Sequence, residues 1–209
     1  AAGGSTYTGE LVGGVRCGSG VLTLHGSGDM IEGEWTEDGS LSDATVRFAS
    51  GGTYEGELDD LLRPHGDGRR TYPDGSRYSG GFRHGMRDGH GTSREANGDE
   101  YEGGWLDDAR HGHGTLRDCL GGLYEGTFAR GARDGHGLMR YPDGTSYEGE
   151  WKEDAYDGVG NFYHKPAAPE EGGGADMYGG HWRRGVAHGH GVYSYASGAR
   201  FDGEHEDGE

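Results

Sequence analysis

The sequence predicts an all-β fold, an antiparallel sheet of about 17 strands made of consecutive β-hairpins. Three observations predict it. A Tyr-x-Gly unit returns at intervals near 23 residues, the large side chains around it alternate with period two, and each interval carries two sets of turn residues. Composition alone points the other way. Leu, Ile, Val and Phe number 25 among 209 residues, 48 residues are Gly and the formal net charge is −18, a profile associated with disorder. The 13 Tyr, 4 Trp and 5 Phe contradict that profile, because disordered chains are poor in aromatics.

The elements follow in order once the copies are aligned. With Tyr as position 0, copies start at Tyr7, Ile31, Tyr54, Tyr78, Tyr101, Tyr124, Tyr147, Tyr178 and Phe201. Gly stands at +2 in every copy, and a large apolar residue at +4 in all but the last, which has His205. Positions 0, +2 and +4 share one face of a strand, so the rings gather on that face and Glu102, Glu125 and Glu148 fall on the other. Gly or Asp at +7 (Gly14, Asp38, Gly85, Asp108, Gly131, Asp154, Gly185) suits the positive φ of a tight hairpin turn. The second strand carries Gly-x-Gly at +11 and +13, one residue late in the third copy as Gly66 and Gly68, and an often apolar +15. Pro73-Asp74-Gly75 and Pro142-Asp143-Gly144 then turn the chain into the next hairpin. Bare backbone at +2, +11 and +13 is read as the seat on which a neighbouring ring lies flat. The long interval between Tyr147 and Tyr178 is one period plus a Pro/Gly/acidic insert at about 165–175, read as a surface loop. Residues 1–209 thus read as one continuous array, and the start at Ala1 without a methionine reads as a C-terminal fragment of a longer one.

Several function classes are disfavoured. No run of about 18 apolar residues exists to cross a bilayer as a helix, and the negative charge opposes nucleic-acid binding. Cys17 and Cys119 are too few for a disulfide scaffold, which points to a reducing, intracellular location. The Gly-x-Gly pairs lead into no helical pattern and no Lys-Ser/Thr pair, so they form no phosphate cradle. No carboxylate pair stands apart from its copies. No catalytic residue, no enzymatic activity and no cofactor are expected.

The residues match a known family at this point. Tyr101-Glu102-Gly103-Gly104-Trp105 followed by His111-Gly112-His113-Gly114, and Tyr147-Glu148-Gly149-Glu150-Trp151 followed by Asp157-Gly158-Val159-Gly160, resemble the MORN repeat. The resemblance covers almost the whole chain. It implies an elongated, single-layer, twisted antiparallel sheet. A chain made only of such repeats is similar to the protist cytoskeletal MORN scaffolds, which implies a homodimeric protein of the cytoskeleton or the membrane-proximal cortex, with cytoskeletal or cortical proteins as partners. The alternatives are a phosphoinositide-binding module and an accessory domain of a larger enzyme.

Four sets of residues are candidate sites. The ring face offers an aromatic groove of Tyr78, Phe82, Tyr101, Trp105, Tyr124, Phe128, Tyr147, Trp151, Tyr178 and Trp182, suited to a partner segment laid along the sheet. The C-terminal edge offers Trp182, Arg183, Arg184, Arg200, Phe201 and His205 for pairing of two copies. Arg63, Arg69, Arg70, Arg77, Arg83 and Arg87 make a locally basic stretch suited to an anionic lipid head group or an acidic partner, against the overall charge. His111/His113 and His188/His190 form His-Gly-His pairs whose side chains share a strand face; with Cys119, or a partner chain, they are candidate zinc ligands. Equivalent histidines in successive hairpins lie about 9.6 Å apart, which is too far to share one ion easily.

Overall fold

The computed structural model describes residues 4–164 and 175–206. It is all-β: the described strands are antiparallel, and each pairs with its neighbours in sequence in one open sheet. The chain divides into two units, described separately: the chain through Asn97 with Trp105–Asp108, and Gly98–Gly104 with everything from Ala109 onward. The predicted 165–175 insert lies, but for Ala175, outside the described residues.

The first unit holds four hairpins: β1 (Ser5–Val12) with β2 (Val15–Leu24), β3 (Met30–Trp35) with β4 (Leu41–Arg47), β5 (Thr53–Leu58) with β6 (Pro64–Thr71), and β7 (Arg77–Arg83) with β8 (Met86–Arg94). Strand β9 (Glu100–Leu106) begins in the second unit and ends in the first. The second unit continues with β10 (Ala109–Arg117), β11 (Leu123–Ala129), β12 (Ala132–Arg140), β13 (Ser146–Lys152), β14 (Ala155–Tyr163), β15 (Met177–Arg183), β16 (Val186–Ser194) and β17 (Arg200–His205).

Two kinds of turn alternate. Within a hairpin the loop is two residues, both at positive φ, as at Arg130 (51°) and Gly131 (93°) between Ala129 and Ala132. Such a turn matches the twist of the flanking strands. Between hairpins the loop closes on a glycine at −3, such as Gly144 at φ 92°, whose N–H donates to the Tyr141 carbonyl at 3.0 Å. The preceding Asp143 accepts from the N–H and the hydroxyl of Thr145. Neighbouring turns are also tied: the +7 N–H of one repeat donates to a carbonyl of the repeat before, as in Gly85 to Pro64, Asp108 to Arg87 and Gly131 to Arg110, at 2.8–3.0 Å.

The Gly-x-Gly pair proves to have two separate jobs. The +13 glycine pairs with a +2 glycine on each side, as Gly137 does with Gly126 and Gly149. The Tyr ring of the same repeat lies on this glycine pair, so a Cβ at Gly126 or Gly137 would come well under 3 Å from the Tyr124 ring or hydroxyl. The +11 glycine is no ring seat, which corrects the reading from sequence: a Cβ at Gly89 or Gly112 would meet nothing within 4 Å. Gly89 instead sits at φ 88° where the ladder of β7 and β8 breaks register. A side chain is excluded there by backbone conformation, not by space.

Candidate functional site

The ring face is built on this glycine row. Tyr54, Tyr78, Tyr101, Tyr124 and Tyr147 are at most 2% exposed. Each hydroxyl donates to the carbonyl at +3 of its own repeat, from 2.7 Å (Tyr54 to Glu57) to 3.0 Å (Tyr124 to Thr127). Each ring meets the +4 ring of the next repeat edge to face: Tyr54–Phe82, Tyr78–Trp105, Tyr101–Phe128, Tyr124–Trp151 and Tyr147–Trp182, with centroids 5.0–5.4 Å apart. The contact persists where the pattern departs. Trp35 meets Tyr7 at 5.1 Å, and His205 takes the tryptophan's place on Tyr178 at 5.0 Å. Indole N–H groups are also satisfied: Trp105 donates to Gly91 O, Trp151 to Gly137 O and Trp182 to Gly160 O. Burial pushes the hydroxyl pKa of Tyr54, Tyr101 and Tyr124 up to about 12.

A residue type that pattern-reading passed over completes this face. Arg at +9 lies over its own tyrosine and, where the next +4 residue is Trp, over that indole. Arg87 sits 5.7 Å from the Tyr78 centroid and 4.0 Å from that of Trp105, and Arg133 repeats this on Tyr124 and Trp151. Each donates from Nε to the aspartate at +7 of the next repeat, Asp108 at 3.1 Å and Asp154 at 2.8 Å. In the seventh copy Tyr156 fills the same slot, stacked on Tyr147 at 3.8 Å, its hydroxyl bonded to that of Tyr141. The signal was present in the sequence as Arg at +9 and Asp at +7 one repeat later.

The predicted groove residues therefore share one face, but they fill it themselves. Tyr78, Phe82, Tyr101, Trp105, Tyr124, Phe128, Tyr147, Trp151 and Tyr178 are all buried, and Trp182 is half-buried. They are the core of a sheet that has few aliphatics to build one. The six arginines are dispersed. Arg63 is paired with Asp59, Arg83 with Asp88 and Arg87 with Asp108, while Arg70 lies 4.5 Å over the Phe48 ring and 4.8 Å over Tyr72. Arg69 faces Glu55 and Ser79 across the ladder, and Arg77 faces Thr71 and Arg94. At the C-terminal edge Arg183, Arg184, Arg200 and Phe201 are exposed, His205 is half-buried, and Arg200 pairs with Asp202 at 3.2 Å.

The histidine candidates stay apart. His111 and His113 are exposed on β10, Cys119 lies in the following turn, and His190 pairs with Asp202 at 2.9 Å while His188 is half-buried on β16. Among the described residues another group comes together: one ligand atom each from Asp59, His65 and His84, all within 4.8 Å of one another. His65 occupies the structural position of His111 and His188, but only here does the turn of the next repeat carry a histidine opposite it.

A row of hairpins, each lending its ring to the next, defines a β-repeat protein whose core is a ladder of aromatic rings. The MORN repeat family matches residues 7–28, 63–77, 78–100, 101–119, 124–146, 147–164 and 178–200. The chain belongs to the MORN-repeat family. Among solved structures, a mutant TCP10 domain of Danio rerio CPAP is similar at 14% identity, over 90% of this chain and 78% of that one, with a TM-score of 0.41. The wild-type domain, in complex with a peptide of Danio rerio STIL, is similar at 12% identity over 96% and 100%, with a TM-score of 0.28. No curated protein matches the chain.

Proposed function

We propose that this protein is a non-catalytic interaction scaffold that self-associates through its last described hairpins. One observation carries the reading. The ring ladder covers its own side chains, yet Tyr195 and Phe201 stand 45% and 50% exposed and are the only exposed aromatic rings among the described residues. Exposed rings next to Arg200 and Asp202, groups of both signs, suit a self-complementary two-fold contact. The opposite, polar face adds a surface for other partners: Glu32, Glu55, Glu102, Glu125 and Glu148 recur at +1 and are exposed, which favours basic segments. The resemblance to cytoskeletal scaffolds extends the proposal to the cytoskeleton or cortex. Light scattering across a concentration series tests self-association. The wild-type chain is expected as a dimer and Phe201→Glu as a monomer of unchanged melting temperature; a wild-type monomer at every concentration overturns the reading.

A further inference from the structure

We propose that Asp59, His65 and His84 hold a divalent transition-metal ion, zinc fitting best, in the place now taken by the Arg63 guanidinium. Nothing in the repeat pattern assigns these residues a role. They occur together once, where the β5–β6 turn meets the β7–β8 turn.

The geometry begins with Asp59. Its Oδ1 accepts from the N–H groups of Leu61 and Arg63, both at 3.0 Å, which fixes the carboxylate and leaves Oδ2 facing the two rings. His84 sits in its turn at φ 53°, and the turn is tied to β6 by the 2.8 Å bond from Gly85 N–H to Pro64 O. His84 Nδ1 lies 3.1 Å from Asp59 Oδ2. With metal–ligand bonds near 2.0–2.1 Å, two ligands of one tetrahedral ion stand about 3.3 Å apart. That pair is therefore already at coordination spacing. The His65 and His84 ring centres are 5.6 Å apart, and the buried His65 Nδ1 has no hydrogen-bond partner. An orphaned ring nitrogen beside a fixed carboxylate is the third donor.

The guanidinium marks where the ion would go. Arg63 Nη2 is 2.6 Å from Asp59 Oδ2 and 2.9 Å from His84 Nδ1. If Nδ1 accepts from Arg63, two lone pairs face each other at 3.1 Å and need a cation between them. If Nδ1 carries a proton for Asp59, it opposes the Arg63 N–H instead. The first arrangement is the self-consistent one, and it is the arrangement of metal ligands around a cation. Arg63 has a side chain 41% exposed, free to turn out to solvent. Two imidazoles and one carboxylate, with a fourth position for water, suit zinc over magnesium or calcium, which prefer all-oxygen sites. The bound ion would clip neighbouring turns together.

The test uses the full chain, stripped by chelator and titrated with zinc chloride alone by calorimetry. Saturable 1:1 binding with a raised melting temperature is expected, together with the visible absorption of tetrahedral cobalt(II) when cobalt replaces zinc. His65→Gln and His84→Asn, the latter keeping a residue tolerant of positive φ, should each weaken binding by about tenfold or more. Arg63→Ala should tighten it by removing the competing cation, and His113→Gln should leave it unchanged. Absence of saturable binding, equal binding in both His65 and His84 variants, or weaker binding in Arg63→Ala would each overturn the proposal.

Discussion

At the scale of the residue, the fold rests on glycine giving up its side chain so that tyrosine can occupy the space. Gly137 separates this packing effect from backbone strain, because a Cβ there would fall inside the Tyr124 ring while its φ is not positive. Gly137→Ala must displace a ring that is 1% exposed and locked to Thr127 O. Overpacking of this kind costs about 1–3 kcal/mol, so chemical denaturation should show a loss in that range. Tyr124→Phe keeps the ring and leaves that carbonyl without its hydroxyl, at about 1 kcal/mol; a larger loss than for Gly137→Ala would mean that the hydroxyl, not the seat, holds the ring. The same burial sets the response to alkali. The folded pKa of Tyr54, Tyr101 and Tyr124 is raised to about 12, above an unfolded value of 10.0. A raised pKa means that the folded state prefers the neutral hydroxyl, so the contribution is complete below pH 10 and is lost as pH rises toward 12. Melting temperature should hold nearly constant from pH 8 to about 9.5 and fall steeply above pH 10. Tyrosinate absorbance should rise together with unfolding; ionisation of most tyrosines near pH 10 in the folded protein would refute the assignment.

At the scale of the element, the hairpin turns and the arginine slots set the stability of each repeat. Arg130 holds φ 51° and Arg184 φ 50°, each followed by a glycine. A left-handed conformation is costly for arginine and easy for asparagine, and Asn-Gly is the preferred pair for this turn. Arg130→Asn should raise stability by about 0.5–1 kcal/mol, read as a higher urea midpoint with an unchanged slope. Arg133→Ala should do the reverse. It uncovers the Trp151 ring, removes the Nε bond to Asp154 and leaves that aspartate without its cation, which together cost about 1–2 kcal/mol. Arg133→Lys should recover little of the loss, since an ammonium cannot lie flat on the indole and bond the aspartate at once. These elements also show what the sequence makes legible. Tyr at 0, Gly at +2 and +13 and Trp at +4 obey strand parity, so the sheet and its ring face could be read from spacing alone. The +11 glycine obeys the same parity for another reason, a register break that spacing does not reveal. The Arg87–Asp108 pair joins two repeats and vanishes when copies are compared one position at a time. Asp59, His65 and His84 meet because the third copy's turn is one residue longer, and an alignment that looks for what repeats discards what happens once.

At the scale of the whole molecule, charge is the largest quantity not used by the ring ladder. The chain carries −18 at pH 7. Within each unit the +1 glutamates of neighbouring hairpins, Glu32 and Glu55 in one and Glu102, Glu125 and Glu148 in the other, stand about two strand spacings apart, about 9.6 Å. That is close to the Debye length of about 10 Å at 0.1 M salt, so at low ionic strength each neighbouring pair repels by about 0.4 kcal/mol. Folding brings these charges together, so the repulsion acts mainly against the folded state. Salt also weakens attraction, but the Arg87–Asp108 and Arg133–Asp154 contacts, at 3.1 and 2.8 Å, lie far inside the screening distance, and their arginines are largely covered. Repulsion is therefore the term that salt removes. Raising sodium chloride from 0.02 to 0.5 M should lift the melting temperature by several degrees, given about 2–4 °C per kcal/mol for a chain of this size. The double variant Glu102→Gln/Glu148→Gln, which strips both neighbours of Glu125, should melt higher at low salt and respond less to added salt. A melting temperature that falls with salt would place the balance with the turn ion pairs, and would make the arginine slots, not the glutamate rows, the electrostatic determinant of the array.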